Sequence, residues 1–204
     1  MKKTIIYTVL SIAFVFISCD SFLDIQPVGQ VIPNNIEEYR ALLASAYKSV
    51  PGRDRGITSF RSDEMQVRDD EYDLSNYREQ ECWEDISSTA SSVSYSWANY
   101  YQAIFTSNQV IINRNKIEYT KKEEVDQLVG EAYLLRAYMH FLLVNLHGQP
   151  YTKEGALQTK SIPLRLDNDF EKSIYRNTVE EVYQSVLSDI EEAQKLLDVT
   201  EWEI

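Results

Sequence analysis

Eight apolar residues, Val125, Leu128, Ala132, Leu135, Met139, Leu142, Leu143 and Leu146, recur at spacings of three or four. Only an α-helix brings residues spaced in this way onto one side, so this stretch admits no strand. Thr120 and Glu123 ahead of it form a capping-box pattern, and Gly148 and Pro150 stop it. Three further runs share the period. One starts after Asn34 or Asn35, with Asn34 as cap and Glu37 three residues on, carries Ile36, Tyr39, Leu42, Leu43, Ala46 and Tyr47, and ends at Pro51-Gly52. Another runs from about Tyr95 to Ile117 with Trp97, Tyr100, Tyr101, Ile104, Phe105, Asn108, Ile111 and Ile112 on a broad face. The last opens on a Thr178–Glu181 capping box and carries Val179, Val182, Tyr183, Val186, Leu187, Ile190, Ala193, Leu196 and Leu197. No segment alternates as a strand does. The expectation is an all-α fold: a tetratricopeptide-like array of helix pairs, or a plain bundle, which fits the same periodicity.

Between the helices lie long irregular loops. Residues 51–93 are rich in Arg, Asp, Glu and Ser without period, and residues around Ile162-Pro163-Leu164 are also irregular. Loops of such length are often functional. The last helix ends near Trp202 with a full apolar face and no polar capping repeat, so the sequence reads as the front of a longer helical protein.

The amino terminus carries an address. Lys2-Lys3, an uncharged run from Ile5 to Ile17 and then Ser18-Cys19 form the three parts of a secretory signal, and the run is shorter than the roughly 20 residues of a membrane span. Phe16-Ile17-Ser18-Cys19 is similar to a lipobox, which makes Cys19 the lipid-bearing first residue of the mature chain; an ordinary secretory cut before a free thiol is the alternative. Residues 1–18 are thus the signal, 19–33 an extended lipidated tether, and 34–204 the helical domain. Taking Lys2 and Lys3 from the 20 basic residues leaves 18 against 32 acidic, a formal charge of −14. That excludes a nucleic-acid partner, which needs a basic footprint, and leaves the lipid rather than surface charge to hold the chain on a membrane. Only Cys82 remains beyond Cys19, so no intramolecular disulfide is expected.

No catalytic constellation emerges. His140 and His147 stand two turns apart, about 10.5 Å at 1.5 Å per residue, too far to share a metal, and read as surface or groove positions. Asp69, Glu71 and Asp73 alternate as in a calcium loop, but Leu74 and Gln80 occupy the positions that need Gly and Glu. No metal or cofactor is expected. No pair among the many carboxylates is singled out for glycoside hydrolysis. Aromatic residues remain: 14 Tyr, 7 Phe and 3 Trp, the side chains that match the apolar face of a sugar ring. Trp83, flanked by Glu81, Glu84 and Asp85 in the long loop, is the best candidate platform, with Tyr77 second; Trp97 and Tyr101 point to the core by their helical spacing.

Three segments carry a resemblance. They are Cys19-Asp-Ser-Phe-Leu-Asp-Ile-Gln-Pro27, Ser96 to Ile111 with Trp, Tyr, Ile and Asn at fixed spacings, and Gly130-Glu-Ala-Tyr-Leu-Leu-Arg-Ala to Gly148-Gln-Pro-Tyr151. The chain resembles the SusD/RagB family of nutrient-binding outer-membrane lipoproteins. The resemblance implies a tetratricopeptide-like helical fold, a place on the outer face of the outer membrane, binding of glycan, oligosaccharide or peptide without catalysis, and a SusC-type TonB-dependent transporter as partner. It also implies a longer protein with further helices. Gly130, Ala132 and Ala137 are expected at a close helix contact, and Glu131 and Arg136 in packing and ion pairing rather than at a ligand. A helical scaffold that binds only protein partners is the alternative. Burial of Trp83 would favour it.

Overall fold

The structure is a computed structural model and describes residues 33–48, 50, 58–84 and 97–197. Cys19, the signal, the tether up to residue 32, Tyr95 and Trp202 lie outside the described residues. Among the described residues there are five α-helices and no strand: α1 (Ile36–Lys48), α2 (Glu71–Glu81), α3 (Ala98–Asn113), α4 (Lys122–His147) and α5 (Val179–Leu196). A short 3₁₀ turn, Ala156–Gln158, follows α4.

The caps show how the sequence sets the boundaries. Thr178 and Glu181 form the expected box at α5: the Glu181 N–H donates to Thr178 Oγ1 at 3.2 Å, and the Thr178 N–H to Glu181 Oε2 at 2.7 Å. The box expected at Asn34 sits one residue later, where the Glu38 N–H donates to Asn35 Oδ1 and Glu38 Oε2 accepts from the Asn34 N–H. Thr120 does not cap α4. The cap position falls on Lys121, whose side chain makes no capping bond. Helix α3 ends at Asn113, four residues before the expected stop. There the chain turns over Arg114–Lys116 so that Ile117 enters the core and Glu118 bridges to Asn35.

Helix α4 is the centre of the fold, with α3 antiparallel on one side and α5 antiparallel on the other. The register of α3 is fixed by Trp97 beside His147 and Asn108 bonded to Arg136, and that of α5 by Arg136 bonded to Asp189. Leu43 of α1, Tyr100 and Ile104 of α3, Leu128, Met139 and Leu143 of α4 and Val179 and Val182 of α5 are almost fully buried in one core. At about 25 cal/mol per Å² of apolar area removed from water, this burial is the main source of stability. Gly130 lets α4 and the end of α5 approach: a Cβ there would lie 2.8 Å from the Leu197 side chain.

Expectations about faces are corrected at several positions: Tyr47 of α1 and Ile112 of α3, read as part of apolar faces, are exposed. Leu187 and Ile190, read as part of the apolar face of α5, are exposed. Leu134 and Tyr138 of α4 are exposed as well, and Phe141 of α4 meets Tyr183 of α5 edge-on. The apolar stripe of α5 is thus wider than the area α4 can cover. His140, read as a surface or groove residue, is fully buried. It sits one turn from Arg136 on the α4 face that the 160–178 excursion covers.

That excursion is closed at its base. Lys160 and Thr178 form an antiparallel bridge, the Ser161 N–H donates to Asn177 O at 2.7 Å, the Asn177 N–H to Ile162 O at 2.9 Å, and the Val179 N–H to Thr159 O at 3.0 Å. Ser161 and Ile162 are buried, whereas residues 169–176 are exposed.

Candidate functional site

Part of the irregular 51–93 stretch is α2. Its apolar residues have no helical period, and its buried residues are Asp73 and Gln80, so periodicity could not reveal it. Polar contacts hold it. The Asp70 side chain caps it by accepting the Asp73 N–H, Arg68 Nε donates to Asp73 Oδ2 at 2.7 Å, and the Val67 N–H donates to Glu81 Oε1 at 2.9 Å. Arg68 holds the Asp73 carboxyl below the usual range. Within the calcium-like alternation of Asp69, Glu71 and Asp73, Asp73 is therefore spent on an ion pair with Arg68, and its neighbour Asp70 is a helix cap. Among the described residues no group of three or more His, Cys, Asp or Glu is placed to hold a metal.

Trp83 follows the end of α2 and is 69% exposed. Its φ is 57°, in the left-handed region that bulky residues rarely enter. The reason is the helix terminus. The Trp83 N–H donates to Gln80 O at 3.2 Å and the Glu84 N–H to Glu79 O at 2.9 Å, which is a Schellman ending with Trp at the position usually held by Gly. Left-handed backbone costs a non-Gly residue roughly 1–2 kcal/mol. The Arg61 guanidinium carbon stands 5.3 Å from the Trp83 ring centroid and covers one face of the indole. Replacing Trp83 by Gly or by Ala removes the ring in both cases and isolates the backbone. The Gly variant is expected to be the more stable by about 1 kcal/mol, the reverse of the usual Ala-over-Gly order in helices. Urea unfolding of the two variants checks this, and equal or reversed midpoints would refute it.

Tyr77, the second candidate, is half-buried, and its ring stacks on Phe60 with centroids 4.7 Å apart. One face is therefore occupied within the protein, by Phe60 of the 58–60 turn. Sequence reading missed Arg61 altogether, since its contact with Trp83 is tertiary and spans 22 positions.

A groove of about 330 Å³ lies between α3 and the 163–174 segment, lined by Trp97, Tyr101, Phe105, Asn108, Phe170 and Ile174 among others. Trp97 stacks on Tyr101 and also meets His147 and the Arg176 guanidinium, so the indole is engaged internally. The Tyr101 hydroxyl donates to Pro163 O at 2.7 Å, and burial raises its pKa. These two rings thus pack as their helical spacing predicts. Phe170, which no periodicity marks, is 80% exposed and touches Phe105.

Behind the groove is a buried polar network. Arg136 donates Nε to Asp189 Oδ2 at 2.8 Å, Nη2 to Asp189 Oδ1 at 2.7 Å and Nη1 to Asn108 Oδ1 at 2.8 Å. Asn108 Nδ2 donates to Arg165 O and Asp167 O, both at 3.1 Å. The network ties α3, α4, α5 and the excursion together, and every bond ends within the chain. Glu131 likewise accepts from Arg40 and from the Tyr47 hydroxyl. Both residues make the ion pairs expected of them. His140 Nε2 accepts the Arg165 N–H at 3.4 Å; burial, aided by the Arg136 charge, pushes its pKa down to about 3. Asp167, Glu181 and Glu192 are held below the usual carboxylate range by hydrogen bonds, the opposite of what a glycosidase's acid requires.

The fold is an all-α array of antiparallel helix pairs. Within that class, the chain belongs to the SusD-like family described as starch-binding and associating with the outer membrane, whose model matches residues 21–203. A curated relative, the SusD-like protein P38 of Formosa agariphila, is 28% identical over 98% of this chain and 39% of its own length. A SusD-like carbohydrate-binding protein from Bacteroides vulgatus superposes with a TM-score of 0.69 at 17% identity, over 84% of this chain and 37% of its own. A laminarin-binding SusD-like protein does so with a TM-score of 0.62 at 20% identity, over 80% of this chain and 34% of its own. The chain therefore spans under two-fifths of the length of each of these relatives. Among the described residues, no helix is long and apolar enough to cross a membrane.

Proposed function

We propose that this chain serves in non-catalytic capture of glycan at the cell surface, held on the outer membrane by lipid on Cys19 and passing its ligand to a SusC-type TonB-dependent transporter. The observation that carries the reading is Trp83: a large aromatic ring, mostly exposed, at the left-handed position that ends α2, where a Gly would sit without strain. Strain of this kind concentrates at sites of function. A rigid indole offers contact area at low entropy cost, and the Trp83 side chain is mostly exposed with Arg61 over its ring. Family membership and a laminarin-binding structural relative support the ligand class. The exposure of Trp83 favours this reading over a scaffold that binds only protein.

The test is titration of residues 20–204 with a panel of oligosaccharides by calorimetry. At least one is expected to bind, and Trp83→Ala is expected to weaken it tenfold or more, about 1.4 kcal/mol. Unchanged affinity in the variant would remove Trp83 from the site, and turnover of any glycan by the purified chain would overturn the non-catalytic reading. Capture of a TonB-dependent barrel by the membrane-anchored chain tests the partner separately.

A further inference from the structure

An aromatic ring binds best when it is ordered before the ligand arrives. The Trp83 backbone is pinned by the two bonds that close α2, from the Trp83 N–H to Gln80 O and from the Glu84 N–H to Glu79 O. Its side-chain torsions remain to be fixed, and the residue is 69% exposed. Among the described residues, the charged or aromatic group over the ring is Arg61, whose guanidinium carbon lies 5.3 Å from the centroid, within the roughly 6 Å reach of a cation–π contact. Arg61 is not spent elsewhere. Arg40, Arg68 and Arg136 each pair with a carboxylate, whereas no described carboxylate pairs with Arg61, and its Nε is buried without a hydrogen bond. The turn that carries it sets its place. The Arg61 N–H donates to Thr58 O at 3.0 Å, the Ser62 N–H donates to Ser59 O at 3.1 Å, and Phe60 stacks on Tyr77 at 4.7 Å with planes 16° apart. Consecutive residues of one turn therefore grip the α2 end at two points, Phe60 at Tyr77 and Arg61 at Trp83.

We infer that Arg61 is a positioning residue for Trp83: it orders the indole in the free protein, so that a ligand does not bear the cost of ordering it. The inference rests on the reading of Trp83 as the sugar platform, and two readouts separate them. Residues 20–204 labelled with 5-fluorotryptophan give three fluorine resonances, one for each Trp, and Trp83→Phe identifies that of Trp83. Arg61→Met is expected to shift and narrow the Trp83 resonance and leave the other two in place. Arg78→Met, at an exposed position on the same helix, is expected to leave all three unchanged. Titrated with starch, laminarin and xylan oligosaccharides, Arg61→Met is expected to bind about three- to tenfold more weakly. Arg61→Lys keeps a cation for the ring and should recover part of that loss. Arg61→Met/Trp83→Ala should bind as Trp83→Ala does, because Arg61 acts only through the ring. An unmoved Trp83 resonance or an unchanged affinity in Arg61→Met would overturn the inference and leave the platform standing. Additive losses in the double variant would overturn it too, making Arg61 a ligand contact. Binding untouched by Trp83→Ala, or no binding at all, would overturn the platform and the role of Arg61 with it.

Discussion

Arg136→Met is expected to destabilise the protein by about 3–5 kcal/mol. The substitution leaves Asp189, only 5% exposed, as a buried charge without its partner. The loss is larger than for the surface pair Lys172–Asp167, because water cannot take over the bonds that Arg136 makes. It also strands Asn108 Oδ1, which accepts from the same guanidinium. The control is the double variant Arg136→Met/Asp189→Leu. With no uncompensated charge left, it should recover more than half of the loss. Urea unfolding followed by far-UV circular dichroism gives both numbers. A single variant within 1 kcal/mol of wild type, or a double variant no better than the single, would show that the pair is not the clasp described.

The second large effect is acid sensitivity through His140. Its folded-state pKa of about 3 lies below the ordinary value of 6.5, so the unfolded chain takes up a proton that the folded chain refuses. Stability is therefore complete above pH 6.5 and falls as pH drops from 6.5 toward 3. At 1.36 kcal/mol per unit, lowering the pH to 5 removes about 2 kcal/mol. Carboxylates held below their usual range begin to take up protons only at about pH 5 and below, even unfolded, and contribute little between pH 7 and pH 5. His140→Gln keeps an acceptor for the Arg165 N–H and has no proton to gain, so its stability should be nearly flat between pH 7 and pH 5. Equal slopes in the two proteins would exclude His140 as the cause.

The legible parts of the fold are those where one residue's chemistry suffices. The three- and four-residue spacing of α4 and the Thr178–Glu181 box of α5 are local, and both are realised. Helix α2 was hidden because its buried residues are an Asp and a Gln, which carry no apolar period. His140 was misplaced because a lone polar residue on an apolar helix gives no sign that a distant loop, at Arg165, will cover it. At the site, Trp83 was legible as a Trp among carboxylates. The Arg61 contact and the left-handed turn were not, since both arise from how α2 ends and what folds back on it.

The excursion closed at Lys160 and Thr178 holds two kinds of sequence freedom. In its first part, Arg165 and Asp167 offer their carbonyls to Asn108, so the path of the main chain is fixed even where the side chains are not. Beyond, residues 169–176 form an exposed tip whose ends are already pinned. Lengthening a loop whose ends are fixed costs only about 0.6 kcal/mol per doubling. The tip is therefore a graft site: a peptide tag or a reporter inserted there leaves the helices their own register, and the groove beside α3 feels it through Phe170, Ile174 and Arg176.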